Sequence, residues 1–339
     1  MEKRSCRVCV TGGAGYIGSS LVKKLLLKGY TVHATLRNLH DHAKVGLLQS
    51  LPNADTRLKL FEADIYNPDE FEQAIQGCEF VFHVATPLQH IEDSQYKDTA
   101  EAAVAGAKSI AVSCIKSATV RRVIYTASVV AAAPLKEDGT GFKDSMDESC
   151  WTPLNLPFSH SNSHLKDYAH SKTLAEKEIL SHGENKTGGL EVVSLACGLV
   201  GGETLLPYTP ESVGLFVSQL TDHESRYQAL KFLEELLGKV PIIHIDDVCE
   251  AHIFCIEKPS INGRFLCASS CISSAEITNY YHENYPQLHI KAEYLKIGPK
   301  REIKWVSTKL VEEGFEYKYD TNMILEDCMS CGRKTGDLQ

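Results

Sequence analysis

The chain has 339 residues, 43% hydrophobic and 23% charged, with a formal net charge of −9. That length accommodates a large α/β domain and a smaller lobe, and the acidic balance with no long basic run argues against a nucleic-acid partner. No apolar run approaches a membrane span and the opening MEKRSCRVCVTGG is no signal peptide, so the expectation is a cytoplasmic protein with no membrane insertion and no protein partner that can be named. The twelve cysteines are then expected to be reduced and mostly buried.

The first predicted element organises the rest. Val8 to Thr11 reads as an apolar strand, Gly12, Gly15 and Gly18 punctuate the turn after it, and residues 19–28 carry apolar side chains at helical spacing up to Gly29. Residues 30–37 alternate as a second strand. A strand, a glycine turn, a helix and a second strand form the β-α-β unit that cradles a pyrophosphate: the glycines let backbone approach the anion, and the helix N-terminus supplies unpaired N–H groups.

The alternation continues with strands at 58–63 and 79–84, a short helix at 68–77 and a long helix at about 96–116. A fifth strand covers 122–126, with Ser128 just past its end. Residues 133–166 lack periodicity and read as a functional loop. A helix follows at 167–180, a strand at 190–195 and a glycine-containing turn at 197–202. Beyond these come mixed helix at 203–240, a strand at 241–246, a helix at 247–257, a strand at 264–268, a helix at 274–285 and a last helix at 307–315. The predicted fold class is α/β, a Rossmann-type doubly wound parallel sheet over 1–195 with a smaller mixed α/β substrate lobe over 196–339, of which about 241–257 returns to the sheet.

Two features suggest chemistry. An acid selective for a ribose 2′-OH is missing at the end of the second strand; Arg37 stands there with Lys44 nearby, a pair suited to a 2′-phosphate and hence to NADPH. Tyr168 and Lys172 are four apart on a predicted helix and share a face. A phenol titrating near ~10 is a poor catalyst at neutral pH, and a neighbouring ammonium is expected to bring it down. Tyr168 could then protonate a carbonyl oxygen as hydride reaches its carbon, Ser128 could polarise the same oxygen, and Lys172 could also hold the nicotinamide ribose. Cys6 and Cys9 should point to opposite faces of a strand, Cys328 and Cys331 lack zinc-site partners, and the fourteen histidines, including His40, His42, His160, His164 and His170, read as solvated loop residues, so no metal is expected.

Together TGGAGYIG, Arg37, Asp64-Ile65, Ala85-Thr86-Pro87, Thr126-Ala127-Ser128, YAHSK and HIDDV resemble an extended short-chain dehydrogenase/reductase nearly end to end. Within that family the chain is similar to the plant dihydroflavonol reductase and anthocyanidin reductase group. GYTVHATLR, TASVVAAAP, DESCW, GLVGGETLL, DDVCEAHIFC and GRFLCAS resemble its HC-toxin reductase-like branch. The resemblance implies NADPH-dependent carbonyl reduction of a small-molecule substrate in plant specialised metabolism or toxin detoxification. It implies Ser128, Tyr168 and Lys172 as the catalytic set. Around NADPH it places Gly12, Gly15, Tyr16, Ile17, Gly18, Arg37, Lys44, Asp64, Ile65, Val84, Ala85, Thr86, Thr126, Tyr168, Lys172 and Leu199, with Asp64 at the adenine. The chain departs from dihydroflavonol reductases at Ala133, where they carry an asparagine that grips flavonoid hydroxyls, and at Gly201-Gly202 in place of Gly-Pro. The alternatives are an anthocyanidin or dihydroflavonol reductase, a nucleotide-sugar epimerase or dehydratase that keeps its NAD, against which Arg37 argues, and a non-catalytic NADP-binding protein, in which Tyr168 or Lys172 should have been lost.

Overall fold

The computed structural model describes residues 6–88, 90–136, 141–154, 160, 162–184, 189–295, 301 and 303–338. Parts of the loops around 88–95 and 133–165 therefore lie outside the described residues. The chain divides into two compact units: residues up to Ala127 with His170–Leu195 and Cys249–Arg264, and Ser128–Ala169 with Ala196–Val248 and Phe265 onward. A single cut at residue 195 does not describe this division, because 128–169 clusters with the later residues.

The first unit is laid down by β1 (Arg7–Thr11), α1 (Tyr16–Leu27), β2 (Thr31–Leu36), α2 (His42–Gln49), α3 (Ala54–Arg57), β3 (Leu58–Glu62), α4 (Phe71–Ile75), β4 (Phe80–His83), α5 (Thr99–Ser117) and β5 (Arg122–Ser128). Val8, Cys9, Val10, Val81, Phe82, Val123 and Ile124 are fully buried, as strands covered on both faces require. Helix α1 ends as its glycine predicts: Gly29 takes φ +86, its N–H donates to Leu26 O and that of Tyr30 to Leu25 O. Helix α5 starts on Asp98, whose carboxylate accepts the N–H of Glu101.

The chain continues through β6 (Ser145–Met146), α6 (Ser163–Glu184), β7 (Glu191–Cys197), β8 (Leu199–Gly201), α7 (Glu211–Phe216), α8 (Ser218–Thr221), α9 (Glu224–Leu237), β9 (Val240–His244), α10 (Ile245–Glu257), β10 (Gly263–Cys267), β11 (Ser270–Ile272), α11 (Ser274–Asn284), β12 (Lys304–Trp305), α12 (Lys309–Glu312) and α13 (Thr321–Thr335). The main sheet has seven strands in the order β10-β7-β5-β4-β1-β2-β3, with β1 to β5 paired in parallel. Strand order reverses between β1 and β4, the switch point where α/β sheets bind ligands at strand carboxyl ends.

Several expectations need correction. The strand expected at 241–246 does not return to the main sheet: β9 lies between β8 and β11 in a separate three-stranded sheet, and the returning strand is β10. The turn expected at 197–202 is largely strand, because β7 extends to Cys197 and β8 pairs in parallel with β9. The helix at 307–315 shortens to α12 and is not the last; α13 follows, capped by Asp320 and ended by Gly336 at φ +87. His164 and His170 lie in α6, and His33, His83, His244 and His252 are buried rather than solvated. All twelve cysteines are reduced thiols, ten of them buried.

The HIDDV stretch fastens the C-terminal segment. His244 Nδ1 accepts the Asp246 N–H at 3.1 Å, Nε2 lies 3.1 Å from Asp327 Oδ2, and the ring stacks on Tyr319 at 3.7 Å. The Asp247 carboxylate accepts the N–H groups of Lys318 and Tyr319. Gly202, at φ +110, leaves space for the imidazole, since a Cβ there would stand 2.4 Å from His244 Nε2.

Within α5, Gly106 accommodates Ile65: a Cβ would stand 2.3 Å from Ile65 Cδ1. Gly106→Ala should therefore destabilise the protein by about 1–3 kcal/mol. Combining it with Ile65→Val, which removes that Cδ1, should recover part of the loss. Urea unfolding of the three variants checks this, and an unchanged midpoint for Gly106→Ala would contradict it.

Candidate active site

The glycine turn between β1 and α1 is shaped by contacts that leave no room for side chains. Gly12 adopts φ +66, and a Cβ on it would stand 3.0 Å from Ala85 Cα; at Gly18 a Cβ would stand 2.2 Å from Gly12 O. Gly15 is exposed, and Tyr16 and Ile17 are half-buried. Helix α1 has neither a side-chain cap nor an acidic residue in its first turn, whereas α2, α5, α11 and α13 are capped by Asp or Ser side chains. Its first N–H groups and the positive end of its dipole thus face no carboxylate of the helix's own first turn.

Thr11 ties this turn to the end of β4. Its buried hydroxyl oxygen accepts the N–H groups of Val84 and Ala85, each at 3.0 Å, and lies 3.1 Å from His83 Nδ1. An oxygen already accepting two bonds donates its own proton, so His83 accepts at Nδ1 and carries hydrogen on Nε2. Burial and the nearby Lys172 charge push His83 down to about 3, which keeps it neutral. The loop is further fixed by Gly13 N–H to Thr35 O at 2.9 Å and Gly12 N–H to Thr35 Oγ1 at 3.2 Å.

Lys172 is 4% exposed. Its ammonium donates to Thr126 O at 2.8 Å and to Thr86 Oγ1 at 2.9 Å, and lies 5.2 Å from the centre of the Tyr125 ring. Thr126 is itself buried, with Oγ1 2.8 Å from His252 Nε2, so the structure gives it an internal anchoring part.

Ser128 is the last residue of β5, and Tyr168 lies one turn before Lys172 on α6. The two hydroxyls are hydrogen-bonded. The expectation that an ammonium lowers the Tyr168 phenol is not met: burial raises it above the ordinary tyrosine range, the Ser128 hydrogen bond pulls it down, and the Cys197 thiol pushes it up.

The remaining predicted residues separate by burial. Arg37 is exposed just past β2. Lys44 is exposed on α2 and paired with Asp41 at 3.0 Å, so its ammonium serves the cap of its own helix. Asp64 is half-buried with Oδ1 accepting the Tyr66 N–H at 3.1 Å, while Ile65 and Leu199 are largely buried. Sequence reasoning missed Thr11, His83 and Tyr125; the available signal was a histidine and a tyrosine inside otherwise apolar strands. Among the described residues no cluster of His, Cys, Asp and Glu could hold a metal, and no helix is long and apolar enough to cross a membrane.

Residues 8–267 match the NAD dependent epimerase/dehydratase family. The chain belongs to that family. Anthocyanidin reductase ((2S)-flavan-3-ol-forming) of Vitis vinifera is 35% identical, covering 98% of this chain and 96% of the relative. The crystal structure of vestitone reductase from alfalfa (Medicago sativa) superposes with a TM-score of 0.78 at 34% identity, covering 98% of this chain and 99% of that one. Yeast methylglyoxal/isovaleraldehyde reductase complexed with NADPH shares the fold, with a TM-score of 0.76 at 22% identity and coverage of 98% and 100%. In this member of the family the epimerase/dehydratase scaffold thus carries a Ser128–Tyr168 hydrogen bond and an anchored Lys172.

Two titrations check the electrostatics. The His83 value in the folded protein lies below that of the unfolded chain, ~6.5, so its contribution to stability is intact above that pH and is lost as pH falls toward about 3. His83→Asn, which keeps an acceptor for Thr11, should flatten the dependence of unfolding free energy on pH in that window by up to ~1.4 kcal/mol per unit. An unchanged slope would contradict a neutral buried imidazole. In the cofactor-free protein, ultraviolet difference titration against Tyr168→Phe should show Tyr168 ionising above ~10, and Ser128→Ala should move it higher. Ionisation below ~10 would show that burial does not dominate.

Proposed function

We propose that the protein is an NADPH-dependent reductase that converts a ketone or aldehyde to an alcohol, with Tyr168 as the proton donor. The observation that carries this reading is a phenol kept protonated by burial and bonded to Ser128, one helical turn from an ammonium fixed at the ends of β4 and β5. NADPH suits the residues present. The turn at Gly12, Gly15 and Gly18 and the uncapped start of α1 would hold its pyrophosphate, Asp64 its adenine end, and Arg37 its 2′-phosphate, since no acid stands at that strand end. When bound, NADPH supplies a hydride.

The residues of the chain do the rest. Ser128 offers a hydroxyl to the substrate carbonyl oxygen as negative charge develops there. Tyr168 transfers its proton to that oxygen. Lys172 stabilises the phenolate left behind and orients the nicotinamide ribose. The first unit then acts as the cofactor domain and the second as the substrate domain, in a cytoplasmic enzyme.

The names of the relatives support a substrate drawn from plant specialised metabolism. Ala133 argues against a polyhydroxylated flavonoid ring: it is fully buried, its N–H is bound to Thr152 Oγ1 at 2.9 Å, and its methyl group offers no hydrogen bond to a ring hydroxyl. The favoured substrate is a less hydroxylated ketone or aldehyde, as in the HC-toxin reductase-like branch. An anthocyanidin or dihydroflavonol reductase is the second reading, supported by relatives 34–35% identical over most of the chain.

Tyr168→Phe should lower turnover by ~10²-fold or more while leaving the NADPH dissociation constant within about twofold. Retained turnover would remove the proton-donor assignment. Arg37→Ala should weaken NADPH by roughly 10-fold or more, as loss of charged hydrogen bonds requires, and leave NADH unchanged. Equal loss of both cofactors would defeat the 2′-phosphate assignment.

A further inference from the structure

Neither the glycine cradle nor the Ser128–Tyr168 bond uses a second feature of α6, a charged cluster buried one turn beyond Lys172. Glu176 is fully buried, and Arg264 of β10 is 6% exposed. Arg264 donates Nε to Glu176 Oε1 at 2.9 Å and Nη2 to Oε2 at 3.0 Å, and Ser194 of β7 donates its hydroxyl to Oε1 at 2.6 Å. Two strand side chains from β7 and β10 thus hold one carboxylate on the helix.

Stability is a weak explanation for such a pair. Burying two charges costs several kcal/mol, and well-packed apolar residues of similar volume often hold an interior contact as well or better. The two parallel bonds of a guanidinium fork supply direction, fixing how far the helix is rotated and where it stands along its axis. Apolar side chains re-pack with little loss. Residues 168, 172 and 176 recur every fourth position and share one face. A fixed Glu176 therefore fixes Lys172 one turn away, where the ammonium meets Thr126 O and Thr86 Oγ1. It likewise constrains Tyr168 two turns away, and a misplacement of about 1 Å can cost ~100-fold in rate.

We propose that Glu176, Arg264 and Ser194 form a positioning clamp that sets the rotation and axial register of α6 for proton and hydride transfer. The proposal rests on Tyr168 and Lys172 being the catalytic pair. Glu176→Gln alone leaves Arg264 charged and incompletely paired and risks unfolding, so the decisive variant is Glu176→Met combined with Arg264→Met. It removes both charges together.

With NADPH and the aryl ketone that the parent reduces fastest, the double variant should keep its melting temperature within a few degrees and its NADPH dissociation constant within about threefold. Its kcat should fall ~10–100-fold, with KM for the ketone nearly unchanged. The Tyr168 ultraviolet titration should shift from the parent's, a readout independent of turnover. Ser194→Ala, which loses a single bond, should lower kcat by roughly 2–5-fold without changing the melting temperature. Parental kcat in the double variant overturns the clamp. So does failure of the double variant to fold, which assigns the pair to stability alone, or a loss of kcat matched by an equal loss of NADPH affinity, which assigns it to cofactor binding. Tyr168→Phe in the same assay separates the two ideas: if it retains turnover the catalytic assignment fails, and if it is inactive while the double variant is fully active only the clamp fails.

Discussion

The burial of one ammonium constrains the rest of the site. Lys172 is nearly inaccessible, and a charge so placed is tolerated only when its donors are engaged. Thr126 O and Thr86 Oγ1 receive two of them, and the Tyr125 ring lies under the charge. These partners come from the ends of parallel strands, so the position of the helix and the geometry of the strand ends are set by the same bonds. His83 is kept neutral by its burial and, to a lesser extent, by this charge, and therefore accepts the Thr11 proton. Thr11 in turn holds Val84 and Ala85 against Gly12. A continuous set of contacts thus runs from α6 to the glycine turn between β1 and α1.

The Tyr168 phenol is governed by a different balance. Burial raises the Tyr168 phenol above the ordinary tyrosine range, and the Ser128 hydrogen bond draws it part of the way back. A donor must begin protonated, and a phenol already ionised at neutral pH could not serve in the reductive direction. The raised value is therefore compatible with reduction, although it reverses the direction expected from placing Tyr168 and Lys172 one turn apart. In this structure the ammonium is committed to Thr86 and Thr126, and Ser128 provides the downward pull.

What could be read in the sequence was what repeats at fixed spacing. The glycine turn, the alternation of strands and helices through β5, and the Tyr168–Lys172 spacing all follow from periods of two and 3.6 and from glycine's tolerance of positive φ. Helix α2 (HAKVGLLQ) escaped notice because it is short and buries only Leu48. Helix α13 was hidden because its buried face includes Cys328, Met329 and Cys331 among charged neighbours. The three-stranded sheet could not be foreseen because β8 and β9 pair across some forty residues, and spacing carries no record of such pairing. The partners of Thr11 and His83 and the pairing of Glu176 with Arg264 were illegible for the same reason: they join residues 72 to 88 positions apart. Arg37 and Lys44 stand close in sequence, and Lys44 pairs with Asp41, the cap residue of its own helix.

The most direct measurement is to follow deuterium from NADPH labelled at the nicotinamide C4 into the product of a ketone incubated with the purified protein. The account predicts one deuterium on the new carbinol carbon for each cofactor oxidised. Cofactor returned unchanged after the substrate has been converted, as in an epimerase or dehydratase, would contradict it.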